Sequence, residues 1–388
     1  MPKKAPSRAT TSPRHSAPPL NAGTPPADQR DATTVYVARF SDHYLPGFYR
    51  TAMGGSTVSS IGLGTYLGDC TDEEDAAYID TITTALASGV NLVDTAINYR
   101  CQRSERAVGA ALQRAITAGA SRDAILICTK GGYLPMVERP PESREEYRAY
   151  LKREFFSTGI LTPDDIVAGG HSLAPSFLRY AIARSRTNLG IKTIDLYYLH
   201  NPEQQLGAVP PAFLRERLRA AFMVLEDAVA RSEIRFYGCA TWNALRVPPT
   251  NKGHLALKDL VAIAHEVAGD QHHFRAVQMP INLAMAEAVR LPTQELDKKG
   301  VLVPALEAAT ELGLSVMVSA SLMQAQLTHD LPPSMRELFP QQQTDAQRAL
   351  AFVRGLPGVT SALVGTKSRQ HLAENLASAE RAPSVTRG

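Results

Sequence analysis

From about residue 57 two hydrophobic patterns alternate along the chain. Short apolar runs rich in β-branched residues are each followed by a longer Ala/Leu/Glu/Arg segment with apolar positions at helical spacing. The first pattern reads as a strand buried on both faces, the second as an amphipathic helix. Strands are expected at Ser60–Leu63, Asn91–Val93, Ile125–Cys128 and Ile194–Leu199, then at Arg235–Cys239, Ala276–Gln278, Val316–Val318 and Ser361–Val364. Helices are expected at Glu73–Ala87, Glu105–Ala118, Ser176–Asn188 and Phe213–Val229, then at Leu255–Val267, Pro304–Leu312, Ala346–Gly355 and Gln370–Ala379. Consecutive parallel strands with helical crossovers form an open doubly wound sheet or a closed barrel. Eight such units favour the α/β (β/α)8 TIM barrel.

Spacing agrees. With strand ends at Gly64, Asp94, Lys130, His200, Ala240, Gln278, Ser319 and Val364, successive steps are 30, 36, 70, 40, 38, 41 and 45 residues. A barrel of this type uses roughly 31 residues per unit. The long step holds an insertion after the third strand, about 133–170, whose PMVERPPESREEYRAYLKREFF segment reads as a loop followed by one amphipathic helix. Loops that follow barrel strands rise on the catalytic face, so the insertion is expected near the site.

The flanks differ. Residues 1–32 carry seven prolines among Ser, Thr and Arg, and few large apolar groups to offset ordering entropy. Those prolines also argue against an amphipathic transit helix. The expected division is a disordered Pro/Ser/Arg-rich tail and lead-in over 1–46, a barrel over 47–381 and a C-terminal tail over 382–388. The chain of 388 residues has formal net charge +3. Lys3, Lys4, Arg8, Arg14 and Arg30 against Asp28 and Asp31 place all of that charge in the tail. A neutral body argues against nucleic acid as a partner. No apolar run is long enough to span a bilayer, and no membrane partner is expected. Cys70, Cys101, Cys128 and Cys239 form no CxxC pair or zinc spacing, so no metal site is expected. Without a secretory h-region, a reducing, cytoplasmic setting is the expectation. No apolar surface stripe points to a particular oligomeric state. Neither GxGxxG after the first strand nor GxxxxGK[ST] occurs, so no Rossmann or P-loop fingerprint is available.

Chemistry gathers at the strand ends. The second strand ends in Asp94, the third in Lys130 and the fourth in His200, with Tyr99 five residues after Asp94. Charged groups directly after apolar strand residues are costly unless paired. A lysine near a phenol favours the phenolate and lowers its pKa, which suits a general acid. Singly, each has an ordinary structural role: a barrel ion pair, a loop tyrosine, a hydrogen-bonded core histidine. Their convergence at one barrel mouth favours catalysis. After the eighth strand, Gly365 permits close backbone approach and the following helix N-terminus favours an anion.

At these residues, from about Met53 to Ser378, the chain resembles the aldo-keto reductase family. GGSTVSSIGLGTYLG is similar to its opening segment, and GVNLVDTAINYRCQRSERAVGAAL to its aspartate–tyrosine signature. CTKGG, LYYLHNPE and GTKSRQHLAEN fit its lysine, histidine and cofactor segments. The resemblance implies hydride transfer between NADP(H) and a carbonyl or sugar substrate, without metal. It implies Tyr99 as proton donor, Lys130 as its pKa-lowering partner, Asp94 positioning Lys130, and His200 orienting the substrate carbonyl. It further implies Gln278 beside the nicotinamide carboxamide, a backbone approach at Gly365 and Thr366, Lys367 with Arg369 or His371 at the 2′-phosphate, and Glu374 and Asn375 at the adenine.

Three positions depart from the family. Ala240-Thr241 replaces the Ser-Asn that grips the carboxamide, leaving Thr241 or Asn243 as substitutes. Ser319 stands where an aromatic ring stacks on nicotinamide, with Trp242 or Tyr133 as compensating rings. His371 replaces Arg or Gln, so NADP(H) is expected with NAD(H) as the alternative. These departures keep open a non-catalytic NADP(H)-binding regulatory or partner-binding barrel. Among other residues, Cys101 reads as an inert loop cysteine, HSLAPS around His171 as a helix-capping turn, and His272-His273 as a solvated turn.

Overall fold

Val, Ile, Leu and small residues on both faces of eight short segments leave no side for water, so the strands must be covered all round. In the computed structural model, which describes residues 27–296 and 300–380, they close on one another. The strands are β1 (Ile61–Gly64), β2 (Leu92–Asp94), β3 (Leu126–Gly131), β4 (Ile194–His200), β5 (Ile234–Ala240), β6 (Phe274–Pro280), β7 (Ser315–Ser319) and β8 (Val359–Gly365). Each pairs in parallel with the next, and Gly365 opposite Gly64 joins β8 to β1. All eight expected strands are present, as are the eight crossover helices: α1 (Asp72–Ala87), α2 (Arg103–Thr117), α3 (Pro175–Leu189), α4 (Pro211–Ala230), α5 (Leu257–Ala268), α6 (Ala305–Glu311), α7 (Asp345–Gly355) and α8 (Arg369–Ala377). Leu92, Leu126, Leu196, Tyr198, Phe236 and Met317 fill the barrel interior, so it is a packed core rather than a pore.

The register fixes the level of the site. Gly64 stands opposite Asp94, Lys130 opposite Tyr198, and His200 and Gln278 both opposite Ala240. These residues therefore sit near the same rim.

The other rim is closed by a two-stranded antiparallel hairpin, Tyr49–Thr51 with Thr57–Ser59, which contributes Val58 to the interior cluster alongside Ala52 and Met53. Ordered structure also precedes the boundary expected at residue 47. Ala27–Ala38 forms a helix, and Gln29, Thr33, Tyr36 and Val37 on one face are buried. The Tyr36 hydroxyl donates to the carbonyls of Leu86 (2.5 Å) and Val90 (3.1 Å), and Gln29 Nε2 donates to Asp195 at 2.7 Å. This face is built from Gln, Thr, Tyr and Val rather than Leu and Ile, which is why it reads as polar tail in the sequence. Residues 1–26 of the expected tail, and 382–388, lie outside the described residues.

The insertion holds one helix, Arg144–Leu151, capped by Ser143 and running into a π-helical turn, Lys152–Phe156. Phe155 on that turn is buried against Phe177 and Tyr180 of α3. Among the described residues no helix is long and apolar enough to cross a membrane.

Candidate active site

Lys130 ends β3 with its ammonium fully buried. It is ion-paired with Asp94 at the end of β2 and donates to the Thr95 carbonyl at 2.8 Å. Burial alone would push the lysine pKa down, but Asp94 and Tyr99 outweigh it and hold the group charged. The second Asp94 oxygen accepts from Gln278 Nε2 at 2.8 Å. Gln278, expected at the nicotinamide, thus holds the ion pair while also lining the cleft beside it.

Tyr99 lies over this pair, with Lys130 Nζ 5.0 Å from its ring centroid. The expected lowering of its pKa is not the net effect. Burial raises the phenol above its ordinary range, and Lys130 opposes that rise only in part. His200 flanks Tyr99 edge-on at 5.8 Å between centroids. Burial first, then the Lys130 and His171 fields, push its pKa well below the usual histidine range, so the imidazole is neutral. Its Nδ1 is buried without a hydrogen-bond partner. Tyr133, from the start of the insertion, packs edge-on against His200 at 4.9 Å and accepts from Asn201 Nδ2 at 3.0 Å.

A cleft of about 330 Å³ runs from Tyr99 to α8, within the range of ligand pockets. Asp94, Tyr99, Gln278, Ser319, Gly365, Thr366, His371, Glu374 and Asn375 all line it. Five expected residues do not line it: Lys130 and His200, which stand behind Tyr99, and Thr241, Lys367 and Arg369. Thr241 is buried at the end of β5 with its hydroxyl unpartnered. Lys367 is ion-paired with Glu74 of α1, and Arg369 points toward Asp80 at 3.8 Å.

The structure adds residues that sequence reasoning did not single out. Tyr66, two residues beyond β1 and 57% exposed, meets Tyr99 edge-on at 5.0 Å and lines the cleft. Its place just past a strand end was the available signal. Ala320, Ser321, Leu322, Gln324 and Ala325, after β7, form part of the far wall. The HSLAPS segment leads into α3, whose N-cap is Ala174, and His171 within it is fully buried, with Nε2 2.7 Å from the His200 carbonyl and Nδ1 2.7 Å from Gln205 Nε2. His272 is likewise buried beside Arg275, not in a solvated turn. Cys101 is buried, and its thiol is pushed up to about 12, chiefly by burial.

The backbone after Tyr99 is unusual. Arg100, Cys101 and Gln102 have φ of 46°, 54° and 69°. Left-handed backbone costs a side-chain-bearing residue about 1–2 kcal/mol. The side chains offset this locally: Arg100 donates to the Asp69 carbonyl (2.8 Å) and to Asp75 (2.6 Å).

With this geometry in view, comparison with known proteins is decisive for the class. Residues 60–252 match the aldo/keto reductase family, and the chain belongs to that family. It is similar to D-threo-aldose 1-dehydrogenase of Pseudomonas sp., 28% identical over 194 residues, covering 48% of this chain and 51% of that protein. It is also similar to NADH-specific methylglyoxal reductase of Escherichia coli strain K12, 29% identical over 193 residues, covering 48% of this chain and 50% of that one. The chain thus spans about half the length of these curated relatives. Among solved structures it resembles an aldo-keto reductase from Klebsiella pneumoniae in complex with NADPH (TM-score 0.55, 20% identity, 84% of this chain and 86% of that one). A second structure from the same organism, with NADP and acetate, has TM-score 0.53 at 19% identity, covering 84% and 87%. Those likenesses show the same barrel fold.

Proposed function

We propose that the protein is an NADP(H)-dependent oxidoreductase that moves hydride between nicotinamide and the carbonyl of an aldehyde, ketone or aldose. The observation that carries this reading is the Tyr99 phenol on the cleft wall, against a buried Lys130–Asp94 ion pair and a neutral His200. The fit to a dinucleotide rests on the cleft's length and ends. Tyr99 and Gln278 stand at one end, and Thr366, before the α8 N-terminus, with His371 and Asn375 along α8, stand at the other. A helix N-terminus there suits a phosphate. Lys367 is adjacent and reaches a 2′-phosphate by leaving Glu74.

When bound, the cofactor supplies the hydride. The protein's part is proton transfer and orientation. Tyr99 donates its phenolic proton to the developing alkoxide, and the Lys130 ammonium stabilises the phenolate left behind. Asp94, itself held by Gln278, keeps Lys130 in place. The neutral His200 ring orients the carbonyl toward Tyr99. The NADPH and NADP complexes among structural relatives support the cofactor class, and the NADH-specific relative keeps NAD(H) as its alternative.

The test is oxidation of NADPH by a panel of aldehydes and aldoses. Turnover that falls about 10²–10⁴-fold in Tyr99→Phe, with NADPH affinity retained, supports the assignment. Tight NADPH binding with no turnover on any carbonyl or sugar would overturn it in favour of a non-catalytic barrel.

A further inference from the structure

The turn after Tyr99 is made of residues poorly suited to its backbone. Three consecutive side-chain-bearing residues, Arg100, Cys101 and Gln102, occupy left-handed φ that glycine would adopt freely. Such backbone persists where surrounding contacts over-determine it, and it concentrates at functional sites.

Gln102 closes the turn and is fully buried. Its Nε2 donates to the Met136 carbonyl at 2.9 Å. Its Oε1 accepts from Arg184 Nε at 2.8 Å and Asn188 Nδ2 at 3.0 Å, both on α3. One carboxamide therefore ties the turn to the insertion on one side and to a barrel helix on the other. Two residues beyond Met136, Glu138 also has positive φ (64°). It receives Arg103 at 3.2 Å and Arg106 at 2.7 Å from the first turn of α2. The insertion thus grips the turn at its exit, while Tyr99 stands at its entrance.

We propose that Gln102 is a positioning residue for Tyr99, and that the 136–138 arm of the insertion is the brace through which it acts. This rests on the assignment of Tyr99 as proton donor. Without the carboxamide, the turn loses its direct tie to the insertion at Met136 and keeps only the Glu138 pairs beyond its exit. The backbone relaxes, and Tyr99 leaves its station over the Lys130 ammonium. The barrel strands and α3 keep their own packing.

Gln102→Gly separates positioning from simple stabilisation, because glycine removes the φ penalty together with the hydrogen bonds. The expected result in the full chain is a loss in kcat of about 10²-fold, the scale of a 1 Å misplacement. KM for the carbonyl and NADPH affinity should stay within about twofold of the unmodified chain, a margin well under one tenfold step in binding. Glu138→Gln, at an exposed side chain, should show a smaller loss in the same direction.

A readout without turnover accompanies this: tyrosine labelled with ¹³C at Cζ, with the Tyr99 resonance assigned by Tyr99→Phe. Its titration should move upward in both variants as the phenol separates from Lys130. An unmoved resonance and unchanged kcat, with only thermal stability lowered, would overturn the proposal. If Gln102→Gly does not fold, Glu138→Gln decides by the same resonance. Because the resonance needs no substrate, absence of carbonyl turnover in the unmodified protein would count against the proton-donor assignment alone.

Discussion

Tyr99 is subject to two opposed influences, and their balance gives the pH behaviour. Burial raises its pKa above the ordinary value of 10 while Lys130 pulls it down. As the proposed proton donor, Tyr99 must be protonated, so the proposed carbonyl reduction should show no alkaline loss from it below about pH 10. Lys130→Met removes the opposing pull and leaves a weaker acid. Its kcat should fall about 10²–10⁴-fold, measured as NADPH oxidation across pH. Asp94, Lys130 and His200 were legible in the sequence because each polar residue directly ends an apolar run. Tyr66, His171 and Gln102 were not. Each is a single loop residue, and the groups that give it meaning stand far away in sequence, as His200 and Gln205 do for His171.

At the scale of elements, the β8–α8 connection is clasped to α1 by the Lys367–Glu74 ion pair. On the proposed assignment, a 2′-phosphate competes with Glu74 for that ammonium. Lys367→Ala should weaken NADPH binding about 10–100-fold, the scale of one charge-assisted hydrogen bond, and leave NADH binding unchanged. Glu74→Gln should tighten NADPH about two- to fivefold, again without effect on NADH, since exposed pairs contribute under about 1 kcal/mol. Fluorescence titration with both cofactors checks the two together. Equal loss for NADPH and NADH in Lys367→Ala would remove the phosphate assignment. The order of barrel elements was readable from periodicity, but the helix Ala27–Ala38 was not. Its buried face is anchored by one aromatic residue. Tyr36→Ala should therefore destabilise the protein by about 3–5 kcal/mol in urea unfolding, comparable to other large buried aromatic truncations.

For the molecule as a whole, buried neutral histidine links stability to pH. Burial lowers the His171 pKa from 6.5 to about 4 in the folded protein. The unfolded chain binds this proton near 6.5 and the folded chain does not, so stability falls as pH drops through the window between 6.5 and about 4. The contribution is about 3 kcal/mol at most across that window. Melting temperature followed between pH 7 and pH 4.5 should decline less steeply in His171→Gln, which retains hydrogen-bonding capacity without the titration. An identical slope in both proteins would show that other groups set the acid limit. The barrel itself was legible because a repeated pattern specifies it eight times. The insertion's internal packing was not, because it occurs once and is held largely by contacts to α2 and α3.

The three left-handed residues after Tyr99 also bear on what can be exchanged between relatives. They are secured from two sides: Arg100 by the β1–α1 loop and the first turn of α1, Gln102 by the insertion and α3. A chimera that trims the insertion to a short loop would strand a buried carboxamide in a strained turn. One that carries a glycine-rich turn into this chain would leave Met136, Arg184 and Asn188 facing a gap. The turn, the arm that follows Tyr133 and the first turn of α2 therefore travel as one graft, and drift at any of them narrows the substitutions the others tolerate.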